Sequence, residues 1–158
     1  VRFVQIFDWG WDHHGTSKRD DIQYALQPHI KTADQAVTAL IEDIHERGLD
    51  KRVLVVVTGE FGRTPMMGTQ DSTDGRNHWP QVMSMCLAGG GVKPGVTIGE
   101  TDEFGFNATQ DKVHVHDLHA TMLYLCGIDH KRLTYRYQGR DFRLTDVAGH
   151  VVHEIIAG

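Results

Sequence analysis

The stretch GWDHHGTSK, Gly10 to Lys18, sets an acid beside two histidines. Carboxylate oxygen and imidazole nitrogen can share one divalent ion such as zinc, manganese or iron. In an extended segment, side-chain alternation puts Asp12 and His14 on one side and His13 on the other. The competing reading is a plain polar loop, and further ligands elsewhere in the chain would decide between them. TGEFGRTP supplies Glu60 as a ligand or base, and Arg63 as a fork of donors for an anion. A capped turn in which Glu60 and Arg63 pair with each other accounts for that segment equally well. GRNHW adds His78 as a ligand and Arg76 as a second cation; its alternative is a loop histidine packed beside Trp79. In HVHDLHAT, Asp117 suits a helix cap and His114 and His116 point to one side of a strand. The structural reading is the stronger for that group, with His116 as the exception. Thr58, Thr64 and Ser72 are hydroxyl nucleophile candidates without a neighbouring base in sequence. No GxSxG elbow, P-loop or GxGxxG occurs, and AGGGVKPG lacks the Lys-Ser/Thr ending and following helix of a phosphate cradle.

The elements that must position these groups are legible in outline. VRFVQIFD, rich in β-branched and aromatic residues, predicts a strand ending at Asp8, followed by a mostly polar loop over 9–31. TADQAVTALIEDIHERGLD predicts a helix capped by Thr32 or Asp34. Its apolar stripe is Ala33, Val37, Leu40, Ile41 and Ile44, and Gly48 is its stop. The unbroken apolar run from Val53 to Val57 suits an interior parallel strand, and strand, helix, strand is a βαβ signature. Residues 66–78 look like a surface excursion. Val82 to Leu87 predicts a further buried strand, GVTIGETDEFG a small hairpin, and HDLHATMLYLCGI a helix ending at Gly127. The tail from Tyr135 has no decisive pattern. In open α/β sheets ligands gather beyond the carboxyl ends of strands. Asp8–His14 and Glu60–Arg63 follow two such strands, and Asn77 and His78 precede a third after a loop long enough to return. Three polar clusters are thus expected at one rim.

Composition narrows the function classes. The chain has 158 residues, 40% hydrophobic and 23% charged, which suits one folded domain with a core. A net charge of −5, without long runs, argues against a general nucleic-acid binder. Eleven histidines stand out, although His29, His45, His130, His150 and His153 read as surface or packing residues. Cys86 and Cys126 lie far apart in apolar stretches and are expected to be free, buried thiols. No run is long or apolar enough to span a membrane. The chain opens at Val1, inside a strand-like pattern and without initiator Met, as a piece of a longer protein would.

Together WDHHG, LIEDIHERGLDKRVLVVVTGEFGRTP, GRNHWP, AGGGVKPG, VHVHDLHATMLYLCGID and YQGRDFRLTDV resemble the bacterial sulfatase-like proteins grouped as domain of unknown function 1501, in their carboxy-terminal portion. That group is similar to the alkaline phosphatase superfamily of phosphatases, sulfatases and phosphoglycerate mutases. The resemblance implies an α/β fold, a three-layer α/β/α sandwich with a mostly parallel sheet, alkaline phosphatase-like, with 1–158 as a single α/β domain. It implies metal ligands on strand-end loops: Asp12 and His14 as the first element, Glu60-Phe61 as the second, His78 as the third. The usual gap between the first Asp and His is three residues, whereas one residue separates Asp12 from His14, so Asp8 joins the candidate set. Phe61 stands where a ligand histidine is usual and cannot bind metal, which leaves a single-metal or altered centre. The superfamily's nucleophile, a Ser, Thr or modified Cys, belongs to an amino-terminal half outside this match. The implied cofactor is a divalent ion, zinc ahead of manganese or calcium. The implied partner is a small-molecule sulfate or phosphate ester, and the implied location is exported or periplasmic.

Three functions compete. The first is an ester hydrolase in which Asp12, His14 and His78 hold an ion, Glu60 assists, and Arg63 offsets charge on the sulfuryl or phosphoryl oxygens. The second is a non-catalytic metal- or ligand-binding domain that kept the fold. The third is a scaffold for protein partners, its polar clusters being packed loops.

Overall fold

A computed structural model describes residues 2–67 and 74–158. The first helix, α1, spans Gln27–Glu46. A π-helical turn, Ile22–Leu26, leads into it, and the Asp21 carboxylate accepts from the Tyr24 and Ala25 amides. The helical stretch therefore begins ahead of the expected Thr32 or Asp34 cap. Asp21 satisfies otherwise free amides, and Pro28, having none, is tolerated in a first turn. Ala33, Val37, Ile41 and Ile44 form the half-buried face that their spacing predicts, while Leu40 is exposed. Gly48, at φ +64°, ends the helix.

The apolar run after α1 forms β1, Leu54–Val57. Gly62–Arg63 is β2, His78–Trp79 is β3 and Cys86–Gly89 is β4. β1 pairs with β4 antiparallel, Leu54 opposite Gly89 and Val57 opposite Cys86. β4 thus starts later than the strand expected from Val82. A Cβ on Gly90 would overlap Leu54, so glycine is needed where the chain leaves this ladder.

These pairings overturn the three-layer α/β/α sandwich with a parallel sheet. Among the described residues the regular structure is two α-helices and four two-stranded antiparallel ladders. A parallel return needs a crossover, usually helical. Between β1 and β4 the described residues carry only the short β2–β3 ladder, so the chain doubles back. Nor is there a βαβ unit among the described residues, because residues 2–8 form no strand; residues 2–9 are exposed and join no ladder. Strand-prone residues become a strand only where a neighbour supplies ladder partners and burial.

Beyond β4, Glu100–Thr101 (β5) and Ala108–Gln110 (β6) make the expected hairpin, its turn held by the Asp102 carboxylate on the Phe106 and Asn107 amides. The second helix, α2, spans Val115–Leu125 and opens on a capping box of His114 and Asp117. Leu118, Ala120 and Thr121 of α2 are buried. The tail forms a hairpin of Thr134–Tyr137 (β7) with Arg140–Arg143 (β8), then runs back along α2. His130 and Thr145, both buried, hydrogen-bond at 2.9 Å. Both cysteines are free as expected, but they are exposed, since a two-stranded ladder and a helix end leave them uncovered. Among the described residues no helix is long and apolar enough to cross a membrane.

Candidate metal centre

Two glycine contacts bring the first and third polar clusters together. A Cβ on Gly75 would overlap the His14 carbonyl, and one on Gly15 would overlap the Asp74 carbonyl. Only glycine lets the two segments touch. The Arg76 amide donates to the His13 carbonyl at 2.9 Å, and the Gln23 amide to Asp74 Oδ2 at 3.0 Å. His78 lies just downstream of this contact. The second cluster arrives through the β2–β3 register, which sets Arg63 opposite His78. The Thr64 amide prolongs that pairing by donating to the Asn77 carbonyl at 2.8 Å.

Asp12, His14 and His78 each place a ligating atom within 4.8 Å of the others. Asp12 Oδ1 lies 3.0 Å from His78 Nε2 and 3.5 Å from His14 Nε2. Donors around a tetrahedral zinc sit roughly 3.3 Å apart, given metal–ligand bonds of about 2.0–2.1 Å. These two separations therefore suit a shared divalent ion. His14 Nδ1 lies 3.1 Å from Asn77 Oδ1. An amide oxygen only accepts, so His14 carries its proton on Nδ1 and turns the Nε2 lone pair towards Asp12. Arg63 Nη1 donates to Asp12 Oδ1 at 2.9 Å, and its Nη2 lies 3.7 Å from Glu60 Oε1. The His78 hydrogen bond, then that of Arg63, holds the Asp12 carboxyl below the usual carboxylate range. Phe61 packs its ring 4.4 Å from that of His78 and lies under the Arg63 guanidinium.

A family model described as "Protein of unknown function (DUF1501)" matches residues 1–156. The chain belongs to the DUF1501 family. No curated protein and no solved structure matches it.

In this DUF1501 chain the remaining candidates fall at varied distances from the cluster. Asp8 takes another role: its Oδ2 accepts from Trp11 Nε1 at 3.0 Å and lies 3.3 Å from His29 Nε2. Glu60 reaches the cluster only through Arg63, which contacts Glu60 and Asp12 at once. Arg76 turns its guanidinium to the Gly75 carbonyl. The Thr58 hydroxyl donates to the Gly59 carbonyl and the Thr64 hydroxyl to the Met66 carbonyl. Ser72 lies outside the described residues. In the HVHD group the His116 amide donates to His114 Nδ1, so the pair serves the helix cap. Sequence reasoning missed Asn77 as the group that orients His14, although it directly precedes His78 in GRNHW. It also gave no role to His13, which is buried with neither ring nitrogen partnered among the described residues.

Proposed function

We propose that this protein is a metal-dependent hydrolase of small-molecule sulfate or phosphate esters, akin to the sulfatase-like proteins of the alkaline phosphatase superfamily. The supporting observation is the meeting of Asp12, His14 and His78 around one carboxylate oxygen, with Arg63 beside them. One oxygen and two imidazole donors favour zinc or manganese over calcium, which takes six or more oxygens. When bound, such an ion supplies Lewis-acid polarisation of an ester oxygen. Asp12, His14 and His78 hold it; Asn77 fixes the His14 tautomer that leaves Nε2 free to bind. Arg63 offers its planar fork to a sulfuryl or phosphoryl oxygen, where a fixed positive charge counts for most as negative charge develops. The exposed Glu60 carboxylate, 3.7 Å from Arg63 Nη2, is the candidate general base for an attacking water.

A second reading, a metal-binding relative without catalysis, is favoured by Phe61. Its ring occupies the space beside His78 with a side chain that cannot ligate. The Thr58 and Thr64 hydroxyls are also turned to backbone carbonyls rather than presented as nucleophiles. The test is metal analysis of wild type and His78→Ala, followed by assay of the zinc- and manganese-loaded protein on p-nitrophenyl phosphate and sulfate. Stoichiometric metal and turnover, both lost in His78→Ala, are the expected result. Metal without turnover selects the second reading, and failure to retain any metal overturns both.

A further inference from the structure

His14 lies in a stretch, 2–15, without regular secondary structure, so neither a helix nor a ladder aims its ring. Two side chains reach the ring by polar contacts: Asp12 at Nε2 and Asn77 Oδ1 at Nδ1. The partner of the second ring nitrogen selects the tautomer of a ligating histidine and fixes the ring. Whatever holds Asn77 in place therefore also holds His14.

Both backbone groups of Asn77 bond to one residue. The Thr64 amide donates to the Asn77 carbonyl at 2.8 Å, and the Asn77 amide donates back to Thr64 Oγ1 at 3.0 Å. Opposed residues of an antiparallel ladder exchange two backbone bonds. Here the hydroxyl takes the return bond in place of the Thr64 carbonyl. Its own proton goes to the Met66 carbonyl at 3.0 Å, which leaves the oxygen lone pairs to the Asn77 amide. Thr64 also directly follows Arg63, the residue that donates to Asp12 Oδ1. One short segment thus touches the carboxylate ligand and the support of an imidazole ligand. We propose that Thr64 is a positioning residue of the metal centre. Its hydroxyl clamps the Asn77 backbone, and Asn77 holds His14 with the proton on Nδ1 and the Nε2 lone pair turned to Asp12. The purpose of this chain of contacts rests on the metal-centre reading, whereas the contacts themselves do not depend on a bound ion.

The test compares Thr64→Val, which keeps the branched shape without the hydroxyl, with Thr64→Ser, which keeps the hydroxyl. Long-range proton–nitrogen NMR of the metal-free protein, above the pH at which imidazoles titrate, reads the tautomer. The His14 signal is the one missing from His14→Gln. Wild type and Thr64→Ser are expected to carry the His14 proton on Nδ1, and Thr64→Val and Asn77→Ala to show a mixture of both tautomers. Zinc affinity, by chelator competition, is expected to fall about 10-fold or more in Thr64→Val, the scale of supporting groups at metal sites, and to stay near wild type in Thr64→Ser. In an Asn77→Ala background Thr64→Val should add no further loss, since residues acting through one another are not additive. A hydroxyl that merely stabilised the ladder would give additive losses and leave the tautomer alone, and either result overturns the proposal. A wild type with the His14 proton on Nε2 overturns it without any variant. A wild type that retains no zinc sinks the metal-centre reading, and the tautomer comparison then still decides whether Thr64 positions His14.

Discussion

Asp12 Oδ1 lies 3.0 Å from His78 Nε2, although 66 residues separate them in the chain. The same oxygen is 2.9 Å from Arg63 Nη1 and 3.5 Å from His14 Nε2. Side chains from three segments therefore converge on one carboxylate oxygen, Arg63 and His78 by hydrogen bonds and His14 with its Nε2 facing it. Asp12→Asn is expected to lower zinc affinity at least ~10-fold, the scale on which even supporting groups act at metal sites. Competition against a chromophoric chelator measures it. An unchanged affinity would remove Asp12 from the ligand set.

The same convergence depends on backbone contact, so it is sensitive to a methyl group with no chemistry of its own. Gly75 is buried against the His14 carbonyl, where a Cβ finds no room. Gly75→Ala is expected to cost about 1–3 kcal/mol, as overpacking does. It should weaken zinc binding as well, because segment 74–76 must move away from His14. Urea unfolding and the chelator competition read the two effects separately. Loss of stability with metal affinity intact would show that the ligands do not rely on this contact.

How much of this was legible in the sequence follows from which interactions are local. α2 and its cap are written within HVHD, since the Asp117 carboxylate and His114 amide lie three residues apart, and the structure has them as expected. The β5–β6 hairpin is likewise local. The partners of β1 are not local: the Val53–Val57 run says "buried strand" but carries no sign of whether its neighbour runs parallel or antiparallel. That was set by what lies between β1 and β4, and the architecture expected from resemblance failed there. The first strand failed for a related reason, its apolar residues finding no ladder to join. For the candidate site, the structure brings WDHHG, GEFGR and GRNHW together, and Asp12 and His14 turn to one side, as alternation suggested. The diversion of Asp8 to Trp11 and His29 depends on side chains that only tertiary contact brings near.

His13 offers a test of burial against protonation. It is 7% exposed, and neither ring nitrogen has a partner among the described residues. Burial first, then the nearby His29 and Arg63, push its pKa below 6.5. The folded protein thus refuses a proton that the unfolded chain accepts below about 6.5, so this contribution to stability is complete above that pH and declines as pH falls through it. His13→Leu removes two orphaned polar atoms, each costing about 1–3 kcal/mol when buried. The variant is expected to be at least as stable as wild type at pH 7.5, with the difference in its favour widening at pH 5.5. Urea midpoints at the two pH values decide it. A His13→Leu protein that is less stable at both would show that the imidazole has a binding partner in solution.

Thr121 ties the tail to α2. It is fully buried, and its hydroxyl donates to the Asp117 carbonyl at 2.7 Å while accepting from the Val152 amide at 2.9 Å. Asp117 itself binds the His150 amide at 2.7 Å, so two successive turns of one helix hold residues 150–152. Thr121→Val keeps the shape but leaves the half-buried Val152 amide without its acceptor, which costs about 1 kcal/mol, the low end for an unsatisfied donor. In a protein of this size each kcal/mol corresponds to about 2–4 °C in Tm. Thr121→Ser retains the hydroxyl and loses only a methyl group, so it should fall well short of that loss. Hydrogen exchange at Val152 separates the tie from general packing: the amide should lose protection in Thr121→Val and keep it in Thr121→Ser. Equal protection in the two variants would mean that the tail is held by the Val92–Ile156 bridge and the contacts around it, with the Thr121 hydroxyl contributing little.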